Sequence, residues 1–564
     1  MEATVRTVAS CFYYRVFDTI SSLLKIEMTV ITRFPPSPTG SLHIGGIRSA
    51  LYCYAFAKKH NGEFILRIED TDRKRFVTGS IEEAIEMLEA YGLTPTRKPS
   101  QSEIDSVNSE KYNFYGSDWI LQKEELENIN DEDFSNIYTQ SLRTPLYQKY
   151  ALELIEKGFA YISFDEAKKL EETREKNKSE GFKNRIQPKH SKEPYTDETL
   201  DKIKAGQEYV IRMDVAAYKN WKKTDFIEHD DRLLGLKKFP LEEVTDQIII
   251  KSDGIPTYHL AVVVDDHLMK VTYPMRSSEW ISSTPKQVMI YEMLGWEMPR
   301  FTHLTAILDP AGGKLSKRKG TVAAKAFLTE GYLPEAVINF LMFLGWSSPE
   351  EKIHGETEQE IYSLEEFVDL FSIEGLNKSN PVFNRDKLLW YNQQYIIGLN
   401  PKELMQKFQN WIEEFSKENE LEELYKRIIS KGSDYLSEAL LIEQTRAKTF
   451  LELAQGIKTF YFEPENFDFN SIKQIKNLSQ EEYIYILSSF LEKLKNFPEN
   501  SKDWVHADWE AAVREIAEKK NIKGGQAFMS LRFGLTGSAV SPPLFECMQI
   551  MGKNEVSRRI NLSL

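Results

Sequence analysis

Residues 31–52, ITRFPPSPTGSLHIGGIRSALY, constrain the fold more than any other part of the chain. A short β-rich run leads into a loop with three prolines, and His43 and the pair Gly45 and Gly46 then open a helical pattern. A helix N-terminus offers unsatisfied N–H groups and partial positive charge, and glycines leave room for an approaching phosphate. The stretch therefore predicts a strand, an anion-binding loop and a helix, with His43 donating to a phosphate oxygen.

Strand and helix patterns alternate after this loop. A second apolar run, EFILRIEDTD, precedes residues 80–91, which have helical spacing before a stop at Gly92. Such alternation indicates a parallel sheet. The stretch DQIIIKSDGIPTYHLAVVVDD predicts two strands around a Gly-x-Pro turn, followed by a helix at about 283–294. Helical periods dominate from about residue 400, which predicts an all-α C-terminal third.

Composition excludes several classes of protein. The chain has 564 residues with 41% hydrophobic content, enough for several cores. No apolar run approaches the roughly 18 residues of a membrane span, so we expect no membrane partner. The three cysteines are dispersed, which argues against a disulfide framework and against a CxxC zinc motif. The net charge of -14 bears on solubility and still permits a local basic face for nucleic acid.

Two segments stand apart from the alternating pattern. Residues 103–133 hold ten acidic residues against Lys111 and Lys123, which predicts a solvated insertion. The first 27 residues contain few acids, but Met28 begins a compact lead into the first strand. We expect residues 1–27 to lie outside the fold of a cytoplasmic protein, with an organellar transit peptide as the disfavoured alternative.

A basic loop forms a second candidate site. The turn DPAGG is followed by KLSKRKG, which places Lys314, Lys317 and Arg318 within five residues beside Ser316. Several cations on one glycine-bounded loop suit a polyphosphate whose charge is held during reaction and released afterwards. A solvated basic loop would be the ordinary reading of this run alone, but together with the first loop it indicates a nucleotide site.

The two loops resemble the HIGH and KMSKS signatures of class I aminoacyl-tRNA synthetases. Further motifs narrow the resemblance to bacterial-type glutamyl-tRNA synthetases: TRFPPSPTG, LRIEDTDR, TPLYQKY, KSDGIPTYHLAVVVDDHLM, STPKQ, GYLPEAVINFL and FNRDKLLW. The resemblance runs from about residue 30 to the end, and the acidic insertion is its main interruption. It implies transfer of glutamate from a glutamyl-adenylate, formed with Mg-ATP, to the terminal ribose of tRNA(Glu).

The resemblance also implies a fold class and a domain order. We expect an α/β Rossmann-type catalytic domain with an inserted α+β acceptor-binding domain, followed by an all-α anticodon-binding region. The predicted boundaries are a Rossmann first half at 28–100, the acidic insertion at 101–140, the acceptor-end domain at 141–245, a Rossmann second half at 246–310, a stem-contact domain at 311–400, and two anticodon-binding helical subdomains at 401–470 and 471–564. We expect a monomer.

Matching motif positions imply the site residues. The catalytic residues would be His43, Lys314 and Lys317. ATP would contact His43, Gly45, Gly46, Glu279, Lys314, Ser316, Lys317 and Arg318. Glutamate would contact Arg33, Ser37, Glu69, Tyr258 and Arg276, where the arginines suit its carboxylates and Glu69 its ammonium group. Arg446 and Arg532 would read anticodon bases, because arginine both donates to a base edge and stacks on its face.

Two departures from the family pattern bear on these expectations. In MRSSEW, Ser278 stands where the family usually has an acid, although Glu279 remains, so the contacts around Ser277 and Ser278 are not implied. Some family members carry a Cys/His zinc site at the position of residues 161–185, but this stretch contains no cysteine. We therefore expect no metal site of the protein's own.

Three other functions fit the sequence less well. A catalytically inactive tRNA-binding relative is disfavoured by the intact loop residues, and a glutaminyl-specific relative by the helical C-terminal third. A metal hydrolase built on Asp265, Asp266 and His267 is weaker, because the acids can instead face turns and no second histidine directly adjoins the cluster. Whether the enzyme also charges tRNA(Gln) stays open.

Overall fold

The computed structural model describes residues 29–109, 119–165, 190–315, 322–348, 360–465 and 468–564. The chain forms two compact units. The first contains Met1–Ala324 and Leu341–Phe383, and the second contains Lys325–Phe340 and Asn384–Leu564. The domain boundaries expected from the sequence are finer than this division and stay predictions.

The described residues up to Leu370 contain all nine strands and twelve helices. The strands are β1 Ile31–Phe34, β2 Glu63–Leu66, β3 Ala160–Ser163, β4 Val210–Met213, β5 Phe226–Asp231, β6 Gly235–Pro240, β7 Ile248–Ile250, β8 Met275–Ser277 and β9 Thr302–Leu304. The helices are α1 Ile44–Lys59, α2 Ser80–Ala90, α3 Gln101–Asn108, α4 Lys123–Glu127, α5 Thr144–Glu156, α6 Asp197–Lys204, α7 Val215–Lys222, α8 Tyr258–Leu268, α9 Thr284–Leu294, α10 Ala324–Thr329, α11 Pro334–Met342 and α12 Leu364–Leu370.

Parallel strand pairs form the centre of the first unit. Ile31 of β1 pairs with Glu63 of β2, and Met275 of β8 pairs with Thr302 of β9, both in parallel register. The segment that leads into β8 also bonds to β1, because the Thr272 N–H donates to the Ile31 carbonyl over 2.9 Å. These strands need helical crossovers such as α1, which packs on β1. The predicted parallel α/β core is confirmed.

The residues between the two halves of this core form an α+β insert. The strands β3, β4 and β7 make an antiparallel sheet, and β5 and β6 make a hairpin with six paired positions. Its apolar side chains belong to the same buried cluster as those of the core, since Ile162 and Ile211 of the sheet lie in one cluster with Val263 of α8. The insert and helix α8 of the catalytic core therefore share one buried apolar cluster.

One secondary-structure prediction was wrong. The run YHLAVVVDDHL is helix α8 and not a strand. Periodicity alone does not separate a short strand from a fully buried helix, and Leu260 through Asp266 are all buried. The helix is eleven residues long and begins directly after extended Thr257. Burial on every face removed the polar stripe that would have indicated a helix.

The acidic segment is anchored rather than freely solvated. The Ser100 hydroxyl and the Glu103 carboxylate form a capping box at the start of α3. Glu103 is itself buried and accepts the N–H groups of Tyr138 and Thr139 at 2.9 and 3.1 Å. Trp119 is 2% exposed. The described part of this segment therefore packs on the core, although most of its other acids face solvent.

The described residues from Arg385 onward form helices joined by turns and loops, without a strand among them. The helices are α13 Arg385–Gly398, α14 Pro401–Phe415, α15 Glu422–Lys431, α16 Ser433–Glu443, α17 Phe450–Tyr461, α18 Gln480–Leu494, α19 His506–Lys519, α20 Gly524–Thr536 and α21 Leu544–Ser563. Amphipathic spacing explains them: in α14 the buried residues Leu404, Phe408, Trp411 and Phe415 recur every three or four positions. The predicted all-α region is confirmed. Within the described chain, no helix combines the length and apolar character that crossing a bilayer requires.

Candidate active site

His43 opens the first candidate site as the N-cap of α1. Its backbone is extended, with φ of -90° and ψ of 146°, and its Nδ1 accepts the Gly45 N–H over 2.9 Å. A neutral imidazole that accepts at Nδ1 carries its proton on Nε2. The cap thus fixes the tautomer that can donate to an anion at the helix start.

A cavity of about 330 Å³ lies at the same helix start. It is lined by the proline-rich loop, including exposed Ser37, and by His43 and Gly46. A Cβ atom on Gly45 would come within 3.1 Å of His43 Nδ1. Glycine at position 45 therefore leaves the His43 cap undisturbed at the mouth of this cavity.

Arg276 of β8 is the centre of the second part of the site. It is 5% exposed, and its guanidinium lies over the Phe301 ring at 4.7 Å. Its Nη1 donates to the Tyr258 hydroxyl over 3.3 Å, and its Nη2 donates to the Thr284 hydroxyl over 3.1 Å. Burial lowers the pKa of Arg276 and raises that of Tyr258. A desolvated cation of this kind gains strongly from a carboxylate.

Arg33 and Glu69 belong to the same buried region. Arg33 is fully buried, and its Nη1 donates to the Met275 carbonyl over 3.0 Å. Glu69 accepts from Arg67 Nη2 over 2.9 Å. Burial raises the pKa of Glu69 above its usual range, although Arg67 and Arg33 act in the opposite direction. A substrate ammonium group would relieve the desolvation of this carboxylate.

The paired acids of α8 face arginines, which removes the metal-hydrolase reading. Asp266 Oδ1 accepts from Arg33 Nε at 3.1 Å and from Arg67 Nη1 at 2.6 Å. Asp265 binds Arg143 Nε at 2.8 Å and also accepts the Tyr147 hydroxyl. Both acids are at most 2% exposed. They neutralise buried arginines, and the sequence offered one signal for this, an arginine inside the apolar run LRIED.

The basic loop is described only in part. Lys314 Nζ lies 2.6 Å from Glu279 Oε2, and both side chains are 53% exposed, so the structure brings two predicted ATP contacts together. The Ser277 hydroxyl accepts the Glu279 N–H over 3.5 Å. The predicted residues Ser316, Lys317 and Arg318 lie outside the described residues.

The two predicted anticodon readers meet at one carbonyl of the second unit. Arg446 Nη1 and Arg532 Nη1 donate to the Ser541 carbonyl over 2.9 and 3.1 Å. Arg446 also pairs with Glu443 at 3.2 Å and lines a cavity of about 860 Å³. Burial lowers the pKa of Arg532. Its neighbours in the sequence, Leu531 and Phe533, are both buried.

Two family models cover this chain. Residues 29–390 match the model for tRNA synthetases class I (E and Q), catalytic domain, which is more than half of the chain. Residues 403–564 match the model for an anticodon binding domain. The chain belongs to the class I tRNA synthetases of the E and Q family.

This tRNA synthetase is similar to named relatives over nearly its whole length. It is 36% identical over 542 residues to the glutamate–tRNA ligase of Chlorobium luteolum, covering 94% of this chain and 96% of that protein. The corresponding ligase of Finegoldia magna is 36% identical over 545 residues, covering 95% and 99%. A crystal structure of a glutamate tRNA ligase from Elizabethkingia meningosepticum in complex with its amino acid has a TM-score of 0.72 and 30% identity, covering 95% of this chain and 99% of that chain. The expected family and fold class are confirmed.

The synthetase also contains a buried cluster that the sequence analysis missed. Ligand atoms of His229, Asp231 and His303 lie within 4.8 Å of one another. Burial lowers the pKa of His229 to about 4. The cluster went unnoticed because its members come from β5 and β9, far apart in the chain. His303 already contacts Asp231 at Nδ1 and Arg276 at Nε2, and the Arg276 cation opposes a metal ion there. That the protein has no metal site of its own stays a prediction.

Proposed function

We infer that this synthetase ligates L-glutamate to tRNA(Glu) through a glutamyl-adenylate. The observation that carries the inference is the grouping of two buried arginines, Arg33 and Arg276, with the buried Glu69 carboxylate and the hydroxyl of half-buried Tyr258. A dicarboxylic amino acid presents two carboxylates and one ammonium group, which complement two guanidinium groups and one carboxylate. The named relatives, all glutamate–tRNA ligases, support the same substrate.

The first step joins the glutamate carboxylate to Mg-ATP. A carboxylate oxygen attacks the α-phosphorus, the bond to the bridging oxygen breaks, and magnesium pyrophosphate leaves. We assign the phosphates to the N-terminus of α1, where His43, Gly45 and Gly46 lie, and to Lys314 with Ser316, Lys317 and Arg318 of the basic loop. Glu279, paired with Lys314, completes this set. These groups position the chain of phosphates and stabilise the charge that develops on it.

The second step transfers the glutamyl group to the tRNA. A hydroxyl of the terminal ribose attacks the glutamyl carbonyl carbon, and AMP leaves with the electron pair of the broken anhydride bond. No protein nucleophile is required, so positioning and charge stabilisation carry the catalysis. Ser37 is assigned to the glutamate pocket beside the four groups of Arg33, Glu69, Tyr258 and Arg276. Its exposure on the proline-rich loop suits a contact that forms when substrate arrives.

The tRNA would contact both units. We assign the acceptor end to the insert built on β3, β4 and β7, and the anticodon to Arg446 and Arg532. Among the described residues, the partners of Arg532 all bond to Nη1. Its Nε and Nη2 edge can therefore face a base, while Nη1 holds the side chain in place.

Charging of glutamate and glutamine tRNAs, measured side by side with glutamate and Mg-ATP, tests the proposal. Glutamylated tRNA(Glu) is expected, and charging of tRNA(Gln) as well would identify a non-discriminating enzyme. The reaction is repeated with glutamine as the amino acid, which should give no product above background. Failure to charge either tRNA, together with no glutamate-dependent exchange of pyrophosphate into ATP, would leave a tRNA-binding relative without catalytic activity.

A further inference from the structure

The Arg276 guanidinium is held by a third contact besides Tyr258 and Thr284. Its Nε donates to His303 Nε2 over 2.9 Å. A guanidinium has five N–H groups, and among the described residues three of those of Arg276 have a partner. Two N–H groups remain on the Nη1 and Nη2 side for a carboxylate. The contact at Nε therefore fixes the rotation that aims this pair.

The tautomer of His303 follows from the contacts of its two ring nitrogens, where Nε2 also lies 3.4 Å from the Thr284 hydroxyl. Because Nε2 accepts from Arg276, the proton of the neutral ring is on Nδ1, which lies 2.6 Å from Asp231 Oδ2. Burial lowers the pKa of His303 below its usual range, against the opposing effect of Asp231, so the ring is neutral. A carboxylate, a neutral imidazole and a guanidinium thus form one directed chain of donors and acceptors.

Asp231 is fixed as firmly as the groups it holds. Its Oδ1 accepts the N–H groups of Leu233 and Leu234 at 3.0 and 2.8 Å, and its Oδ2 also accepts the His303 N–H at 3.1 Å. Asp231 is 1% exposed and His303 is 0% exposed. Asp231 ends β5, the first strand of the hairpin, so the insert supplies the far end of a chain that reaches Arg276.

We propose that Asp231 and His303 are positioning residues that hold Arg276 in the orientation required to bind a carboxylate of glutamate. The proposal rests on the proposed function, because it concerns the same amino-acid pocket. His303 contacts Arg276 at Nε, and Asp231 acts through His303. The Nη1 and Nη2 edge that would meet the substrate is therefore used by neither residue. Their effect is therefore on glutamate binding. The ATP contacts at α1 and the basic loop are not part of this series of hydrogen bonds.

Asp231→Asn is the most direct test. The amide keeps the shape, but its NH2 group would meet the His303 N–H groups, donor against donor. Moving the ring proton from Nδ1 to Nε2 relieves the clash at Nδ1 and leaves Nε2–H against the Arg276 Nε–H, which displaces the guanidinium. In pyrophosphate exchange with tRNA(Glu) present, KM for glutamate should rise roughly ten- to a hundredfold, as for loss of a charged hydrogen bond. KM for ATP should stay within about twofold on the same argument.

Two further variants complete the kinetic test. His303→Phe should act like Asp231→Asn, while His303→Gln, whose amide can both donate and accept, should recover part of the glutamate affinity. Asp246→Asn is the matched control, because Asp246 also accepts a backbone N–H and a side-chain hydroxyl within the insert, from Val215 and Tyr161. An unchanged KM for glutamate in folded Asp231→Asn and His303→Phe, or an equal rise in the control, would overturn the proposal.

A spectroscopic measurement on the unaltered protein tests the proposal even where a variant fails to fold. In the nitrogen NMR spectrum of histidine-labelled protein, His303 should carry its proton on Nδ1 and give a downfield proton resonance. Addition of glutamate should shift this resonance more than addition of ATP does. A proton on Nε2, or no response to glutamate, would overturn the proposal. Absence of any glutamate-dependent exchange by the unaltered enzyme would instead reject the proposed function and leave the tautomer result standing.

Discussion

Lys314 and Glu279 form an exposed ion pair that we assign to the chemistry and not to folding. Both side chains are 53% exposed, and exposed pairs contribute little to stability. Lys314→Ala should leave the thermal midpoint of unfolding unchanged and slow glutamyl-adenylate formation about ten- to a hundredfold, because a cation is removed from the phosphates. Rapid-quench measurement of adenylate formation checks this.

Lys238→Ala is the control for Lys314, since Lys238 is 54% exposed and forms a surface pair with Glu228 in the same unit. It should change neither quantity. An unaltered rate of adenylate formation in Lys314→Ala would separate the basic loop from catalysis.

Asp266 has the opposite character, because it is a buried charge shared by two arginines. Burial by itself raises a carboxyl pKa, but Arg33 and Arg67 outweigh it and hold the pKa of Asp266 below its usual range. Asp266→Asn leaves those arginines without part of their countercharge. The free energy of unfolding of the first unit should fall by about 3 kcal/mol at pH 7, the order measured when one partner of a buried pair is removed.

The pH dependence of this loss has a definite sign. A depressed carboxyl pKa adds stability above the unfolded value of about 4, and that stability disappears as the pH falls through the folded value. The difference between Asp266→Asn and the unaltered protein in denaturant melts should therefore shrink below about pH 4. Asp72→Asn serves as an exposed control, and a gap that persists at low pH would show that packing and not charge is responsible.

Residue chemistry was readable from the sequence where a motif placed the residues close together. The glycine pair and His43 occur within four positions, and the structure has them at one helix start. The pairing of Asp266 with Arg33 was not readable, because 233 positions separate them and only the fold joins β1 to α8. The same holds for Asp231 and His303, which are 72 positions apart.

At the level of elements, α1 depends on a cap that also belongs to the site. Asparagine is a good N-cap residue and alanine is a poor one. His43→Asn should keep the stability of the first unit and His43→Ala should lose about 1 kcal/mol. Both should slow adenylate formation about a hundredfold or more, because each lacks the imidazole donor.

Calorimetry and rapid-quench kinetics on the two variants separate the structural role of His43 from its chemical role. Full activity of His43→Asn would reduce the histidine to a cap.

The wrong prediction at α8 has a different cause. Once every face of an element is buried, the local sequence indicates where the element ends better than whether it is a helix or a strand. Helix α14, with one apolar face and a capping box at Asn400, was predicted correctly for the converse reason.

At the scale of the whole molecule, the two units allow binding of tRNA and chemistry to be altered separately. Arg532 belongs to the second unit and Arg276 to the first. Arg532→Ala should weaken tRNA(Glu) charging by about 1 to 3 kcal/mol, the range for losing a base contact or a stacked base. KM values for glutamate and ATP should stay near those of the unaltered enzyme.

An anticodon base change provides the second half of this test. It should weaken charging by the unaltered enzyme strongly and by Arg532→Ala only slightly, since the contact is already lost. Arg558→Ala, which removes an exposed arginine paired with Glu555 and Glu463, is the control. Equal sensitivity of Arg532→Ala and the unaltered enzyme to the base change would make Arg532 a structural residue.

The β5–β6 hairpin limits how freely the insert can be exchanged between relatives. Asp231 reaches Arg276 through His303, so a chimera that replaces residues 141–245 also replaces one end of that chain. A donor insert with an acid at the position of Asp231 should preserve glutamate affinity, and one without it should impair affinity even though no exchanged residue contacts glutamate. On the proposal that Asp231 positions Arg276, amino-acid selection would be inherited jointly by two segments that appear modular in the linear sequence.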